Sequence, residues 1–118
     1  MTAPARGHRT KETEMYVVAK HAVQDPGTAI PRGERLQIAD GAPEGVRVLQ
    51  FYPSVDATEV VCLWESPSLA PLQKYVDTIL GDSSINTFFE VAAEPAFSEQ
   101  PLGLAREPIA RRPQTTAQ

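Results

Sequence analysis

Cysteine is almost absent from this chain: Cys62 is the only one in 118 residues. An intramolecular disulfide is therefore impossible, and a Cys-rich zinc site is excluded. This fits a reducing compartment, and the expected location is cytoplasmic. Long apolar runs are missing as well. None exceeds the five residues of Val60-Val61-Cys62-Leu63-Trp64, whereas a membrane-spanning helix needs about 20. Residues 1–14 hold Arg6, Arg9, Lys11, Glu12 and Glu14 but no apolar stretch, so they do not read as a signal peptide. Nor is there an excess of basic charge: 11 Lys and Arg face 15 Asp and Glu, a net −4. An acidic body resists nucleic acid and anionic membranes, and neither is expected as a partner. No Gly-x-Gly-x-x-Gly, Walker, Gly-x-Ser-x-Gly or His-x-x-x-His pattern occurs, so nucleotide binding has no support.

What is present suffices for one folded domain. Hydrophobic residues make up 42% of the chain, enough for a core although aromatics are few at 7%. Charge is unevenly placed. Residues 1–14 and 95–118 each carry a net +1, while residues 15–94 carry five basic and eleven acidic side chains, a net −6. The first 14 residues lack periodicity and read as a disordered tail. From Pro95 onward, Pro95, Pro101, Pro108 and Pro113 forbid a long helix, although Phe97, Leu102, Leu104 and Ile109 suit a segment laid across the body or a partner subunit. Arg111-Arg112 reads as part of a solvated tail. The folded unit is expected to be residues 15–94.

Along that unit, Met15 to Val23 is rich in β-branched and aromatic residues and reads as a strand, broken by Asp25-Pro26-Gly27. A short helix is expected over 29–39, with Thr28 as its cap and Pro31 in its first turn. Val46 to Tyr52 and Thr58 to Glu65 read as a hairpin of two strands around Pro53-Ser54-Val55-Asp56-Ala57. Ser68 then caps a helix whose apolar residues Leu69, Leu72, Val76 and Ile79 share one face, and Gly81 stops it. Asn86 to Ala92 is a fourth strand. The order strand, helix, strand, strand, helix, strand predicts an α+β, ferredoxin-like βαββαβ fold. Its antiparallel sheet has the order 4-1-3-2, with both helices on one face.

The uncovered face then matters. A turn over 54–57 sets Phe51 opposite Val60, Leu49 opposite Cys62 and Arg47 opposite Trp64, all toward the helices. Val48, Gln50, Tyr52, Glu59, Val61, Leu63 and Glu65 fall on the open face. Phe89 and Val91 are expected under the helices, because Glu90 there would be an unpaired buried charge. Phe88 and Glu90 join the open face. The first strand does not declare which of its sides looks out. An open face bearing Phe88, Val48, Val61 and Leu63 is too apolar to stay in water, and a second copy of the sheet would cover it. A homodimer with a cavity follows.

In this layout, Gly45-Val46-Arg47 leading to Val61-Cys62-Leu63-Trp64-Glu65-Ser66-Pro67-Ser68 resembles the dimeric α/β-barrel superfamily. Within it, the run is similar to small actinobacterial ferredoxin-like proteins, some of them described as nickel-binding. The resemblance covers about residues 15–94 and implies a barrel closed between two subunits. The roles it implies include plain ligand binding, cofactor-free monooxygenation, haem degradation and muconolactone isomerisation. In the nickel-binding relatives, histidines near the end of the first strand are ligands. Here that region reads Lys20-His21, and the other histidine, His8, lies in the N-terminal tail.

His21 is thus the natural general base or metal ligand of the folded unit. Tyr52 and Gln50 are placed to orient a ligand carbonyl or phenol, with Phe88 and Glu90 lining the same cavity. Each has a plainer role: His21 satisfied by backbone or water, Glu90 paired with Lys20, Glu65 solvated, and Tyr52 and Gln50 packed in a dimer interface. Trp64 is expected in the core near Arg47, Tyr75 packed beside the second helix's apolar stripe, and Cys62 as a buried hydrophobe. The expected function is a small homodimer holding a small molecule or a metal in a cavity over the sheet, with no cofactor. The alternative is a cofactor-free monooxygenase or isomerase with His21 as base and Tyr52 or Gln50 stabilising an enolate or phenolate. The tail as a docking segment for another protein is a third role.

Overall fold

Burial alternates along the first strand: Val17, Ala19 and His21 are buried while Lys20 and Ala22 are exposed. This settles the side that the sequence left open, and it orients the whole sheet. The structure, a computed structural model, describes residues 14–99 and 103–112. The chain runs through strand β1 (Met15–Val23), helix α1 (Pro26–Gln37), strands β2 (Arg47–Pro53) and β3 (Glu59–Ser66), helix α2 (Leu69–Leu80) and strand β4 (Ser84–Glu90). The four strands form one antiparallel sheet in the order β2-β3-β1-β4, the expected 4-1-3-2 arrangement. The domain is α+β and compatible with the ferredoxin-like fold. Among the described residues, no helix is long and apolar enough to cross a membrane.

Helix α1 starts earlier than the sequence suggested. Asp25, not Thr28, is the cap: its Oδ1 accepts the Gly27 N–H at 3.2 Å, and Pro26 takes the first helical position, where a missing N–H costs nothing. Pro31 and Gly33 then fall inside the helix, and both weaken it. What holds it is burial of Ala29 and Leu36 against the sheet. In contrast, α2 buries Leu72, Tyr75, Val76, Ile79 and Leu80. Ser68 occupies its cap position without making a side-chain cap bond; Ser66 Oγ instead donates to the Ser68 carbonyl at 2.6 Å. Gly81 ends α2 at φ 58°, where a side chain would be strained and its Cβ would lie 2.8 Å from Arg32 Nη1. That guanidinium reaches over from α1 to donate to the Leu80 carbonyl at 2.9 Å, tying the two helices together.

The hairpin departs from the expected pairing in two ways. The loop sits one residue later, so Phe51 faces Cys62, not Val60, and Pro53 faces Val60. A bulge at Leu49 then inverts the start of β2. Val48 turns to the helix side opposite Trp64, and Arg47 turns to the open face opposite Glu65, with an ion pair at 3.0 Å. Glu65 is therefore buried and paired, not solvated. Trp64, fully buried, packs edge-on against Tyr75 with ring centroids 6.1 Å apart, and Arg47 lies on the other face.

Strand β4 is also displaced from its expected 86–92. A short 3-10 turn, Gly81–Ser83, delivers the chain into the sheet at Ser84, and pairing ends at Glu90. The register sets Ala19 opposite Phe88 and Val18 opposite Phe89. Phe88 is thus on the helix side and packs on the core, while Phe89 looks out from the open face. This reverses the expected assignment. Glu90 lies on the helix side opposite Val17. The objection that it would be a buried charge fails, because the strand ends there and Glu90 is exposed. Lys20 faces Thr87 on the open side, so the expected Lys20–Glu90 pair does not form. Beyond the sheet, Gln50 Nε2 donates to Ser98 Oγ at 3.0 Å and Arg111 Nη2 to the Ile38 carbonyl at 3.2 Å. Expectations for residues 1–13 and Leu102 lie outside the described residues.

Candidate functional site

A cavity of about 200 Å³ lies between α1 and the helix side of the sheet. Its walls come from Ala29, Ile30 and Leu36 of α1, Phe51 and Pro53 of β2, Val60 of β3, Val23 of β1 and Leu80 of α2. The weak composition of α1 has a use here. Gly33 lines the cavity, and a Cβ added to it would meet nothing within 4 Å. Exposed Ile30, Glu34 and Pro53 form the rim. The polar residues of its wall are His21, Ser84 and the half-buried Gln37 of α1.

His21 is held by a chain of hydrogen bonds. Asn86 Nδ2 donates to Asp77 Oδ1 at 2.9 Å. That fixes the amide, so Asn86 Oδ1 faces Ser84 Oγ at 2.7 Å and His21 Nδ1 at 2.8 Å. An amide oxygen only accepts, so Nδ1 must carry the imidazole proton and Nε2 a lone pair. His21 is 5% exposed, and its Nε2 is buried with no hydrogen-bond partner. Such an atom is costly to leave unmet, by about 1–3 kcal/mol.

Burial holds the His21 pKa below its ordinary 6.5, against the pull of the Asn86 hydrogen bond and the Asp77 carboxylate. The folded protein therefore keeps His21 neutral while the unfolded chain takes up a proton as pH falls through 6.5. The contribution of neutral His21 to stability is full above that value and declines below it. The urea midpoint should hold steady from pH 8 to 7 and drop as pH falls below about 6.5. A His21→Gln variant should show a flatter profile in that window; an identical profile would mean that His21 does not titrate differently on folding.

The other sequence candidates do not join this site. Tyr52 and Gln50 pair with Val61 and Leu63 on the open face, across the sheet from His21. Phe88 shares His21's face but does not line the cavity. Glu90 lines a broader hollow of about 500 Å³ with Glu14, Met15, Tyr16 and Val91, at the far end of β1. Cys62 is buried as expected. Burial pushes its thiol up to about 12, so it offers no thiolate at neutral pH. Among the described residues, no three His, Cys, Asp or Glu side chains gather as a metal site. The residues that sequence reasoning missed are Asn86, Asp77 and Ser84. Asn86 opposite His21 would have been visible only with the β1–β4 register in hand.

No known family, curated protein or solved structure matches the chain.

Proposed function

We propose that the chain is a small ferredoxin-like homodimer of the cytoplasm that holds a small molecule in the cavity between α1 and the sheet. The observation that carries this is the cavity itself, a largely apolar hollow with the buried, Asn86-fixed imidazole of His21 in its wall. Binding sites are commonly apolar hollows with one or two placed polar groups. The dimer is supported by the open face, where Ile85 is 60%, Phe89 52% and Tyr52 38% exposed on a single chain. Native mass spectrometry of untagged protein tests both parts. A dimer carrying an additional small mass is expected, with the mass lost from His21→Ala while the dimer persists. A bare monomer would refute both parts; a bare dimer would refute ligand retention.

The enzyme reading has one specific support, the lone pair on a neutral Nε2, which suits a general base. That nitrogen is sealed from solvent, and the groups expected to meet the oxyanion are not beside it. Tyr52 and Gln50 are on the wrong face, and Ser84 Oγ is engaged by Asn86. Ligand holding is therefore the better supported of the two.

A further inference from the structure

We infer that Lys20 and Glu59 fix how two copies of the chain stack: Lys20 of each copy meets Glu59 of the other, giving two identical ion pairs per dimer. This rests on the proposal that the open face joins two copies, and it deepens that proposal by naming what sets their mutual placement. Strand alternation puts four charged side chains on the open face of the sheet, Lys20, Arg47, Glu59 and Glu65. Arg47 and Glu65 stand opposite each other on β2 and β3 and pair at 3.0 Å. Lys20 and Glu59 lie on neighbouring strands but out of step, Lys20 opposite Val61 and Glu59 opposite Ala22. Both are exposed, and among the described residues neither side chain forms an ion pair. Strand β4 adds only uncharged Ile85, Thr87 and Phe89 to this face.

Lys20 is the member that a covering layer must answer. It rises between Val61 and Thr87, with Val18, Leu63 and Phe89 in the next row. On a single chain, water satisfies its ammonium. A second sheet laid over this apolar surround removes that water, and an ammonium left there without a counter-charge is strongly destabilising. The covering sheet is a copy of the same one, so its charges are known. Glu65 is engaged by Arg47, and Glu59 is the carboxylate of that face left to answer Lys20. Two-fold symmetry makes the contact mutual, because the operation that brings Lys20 to Glu59 of the other copy also brings the reverse pair together. Stackings that set Lys20 on Lys20 or Glu59 on Glu59 are penalised. The pairs therefore select one arrangement among those that apolar contact alone allows.

Charge reversal in the full chain, followed by light scattering, tests this. Lys20→Glu and Glu59→Lys each set like charges together twice per dimer. Either variant alone should associate at least about a hundredfold more weakly than the parent. Glu59→Lys is the sharper of the two, because it lowers the chain's net negative charge and so eases general repulsion between copies. Mixing the two variants should restore the doubled mass, since both contacts between the chains then join opposite charges. Circular dichroism should match the parent's in every case, both positions being exposed. Parent-like association of either variant alone would overturn the pairing and leave the dimer standing. A mixture that stays monomeric would overturn it too, because charges that matter only within one chain gain nothing from mixing. A monomeric parent would remove the dimer itself, and the inference with it.

Discussion

Replacing Ile85 and Phe89 together by Asp should leave a folded monomer. Both residues sit on β4, two registers apart around Thr87, and point away from the helices. Neither belongs to the core, so the interior formed by Val17, Cys62, Trp64 and Leu72 is untouched. On a single chain they present the two most exposed large apolar side chains of the sheet. Two carboxylates at these points would have to be stripped of water to enter any sheet-to-sheet interface, and across a two-fold axis they would meet their own copies. Light scattering should therefore report a single 12.9 kDa chain for the variant and twice that mass for the parent, with the same far-ultraviolet circular dichroism. A variant that keeps the doubled mass, or a parent that never shows it, would remove the open face as the interface.

The largest loss of stability is expected from Trp64→Ala. Trp64 lies at the centre of the core, opposite Val17 on β1 and Val48 on β2, and meets Tyr75 of α2 edge-on at 77°. Tyr75 in turn donates its hydroxyl to the Asp40 carbonyl at 2.5 Å, anchoring α2 to the loop after α1. Truncating Trp64 thus empties the place where sheet and helix are joined. Buried Trp→Ala changes cost about 3–5 kcal/mol, a large share of the roughly 5–15 kcal/mol that a domain has. Because Trp64 is the only tryptophan, urea unfolding should be followed by circular dichroism, not fluorescence. Trp64→Phe should lose less than half as much. A Trp64→Ala midpoint within experimental scatter of the parent's would contradict the packing described.

The elements and their order were readable because they depend on local chemistry: β-branched runs, a three-four spacing through Leu69, Leu72, Val76 and Ile79, and Gly81 at a stop. The faces were less readable. They depend on counting residues across a loop, and one bulge at Leu49 exchanged the sides of Arg47 and Val48. Phe88-Phe89 was a symmetric pair in which either ring suits the core. The choice between them turned on Glu90, and the sequence does not show that Glu90 lies where the strand runs out. His21 was legible as the chemically able residue. Its companions were not, because Asp77, Ser84 and Asn86 come from α2 and β4 and meet it only through tertiary packing.

The two margins of the sheet differ in one more respect. Along β2 the outer rim carries the Leu49 bulge and closes on Pro53, which has no amide hydrogen to give. Both features spoil it as a template for an additional strand. Strand β4, Ser84–Glu90, has neither proline nor bulge, and among the described residues nothing pairs with its outer side. Lateral growth of this sheet, whether by a guest peptide or by misassembly, is thereby confined to one flank.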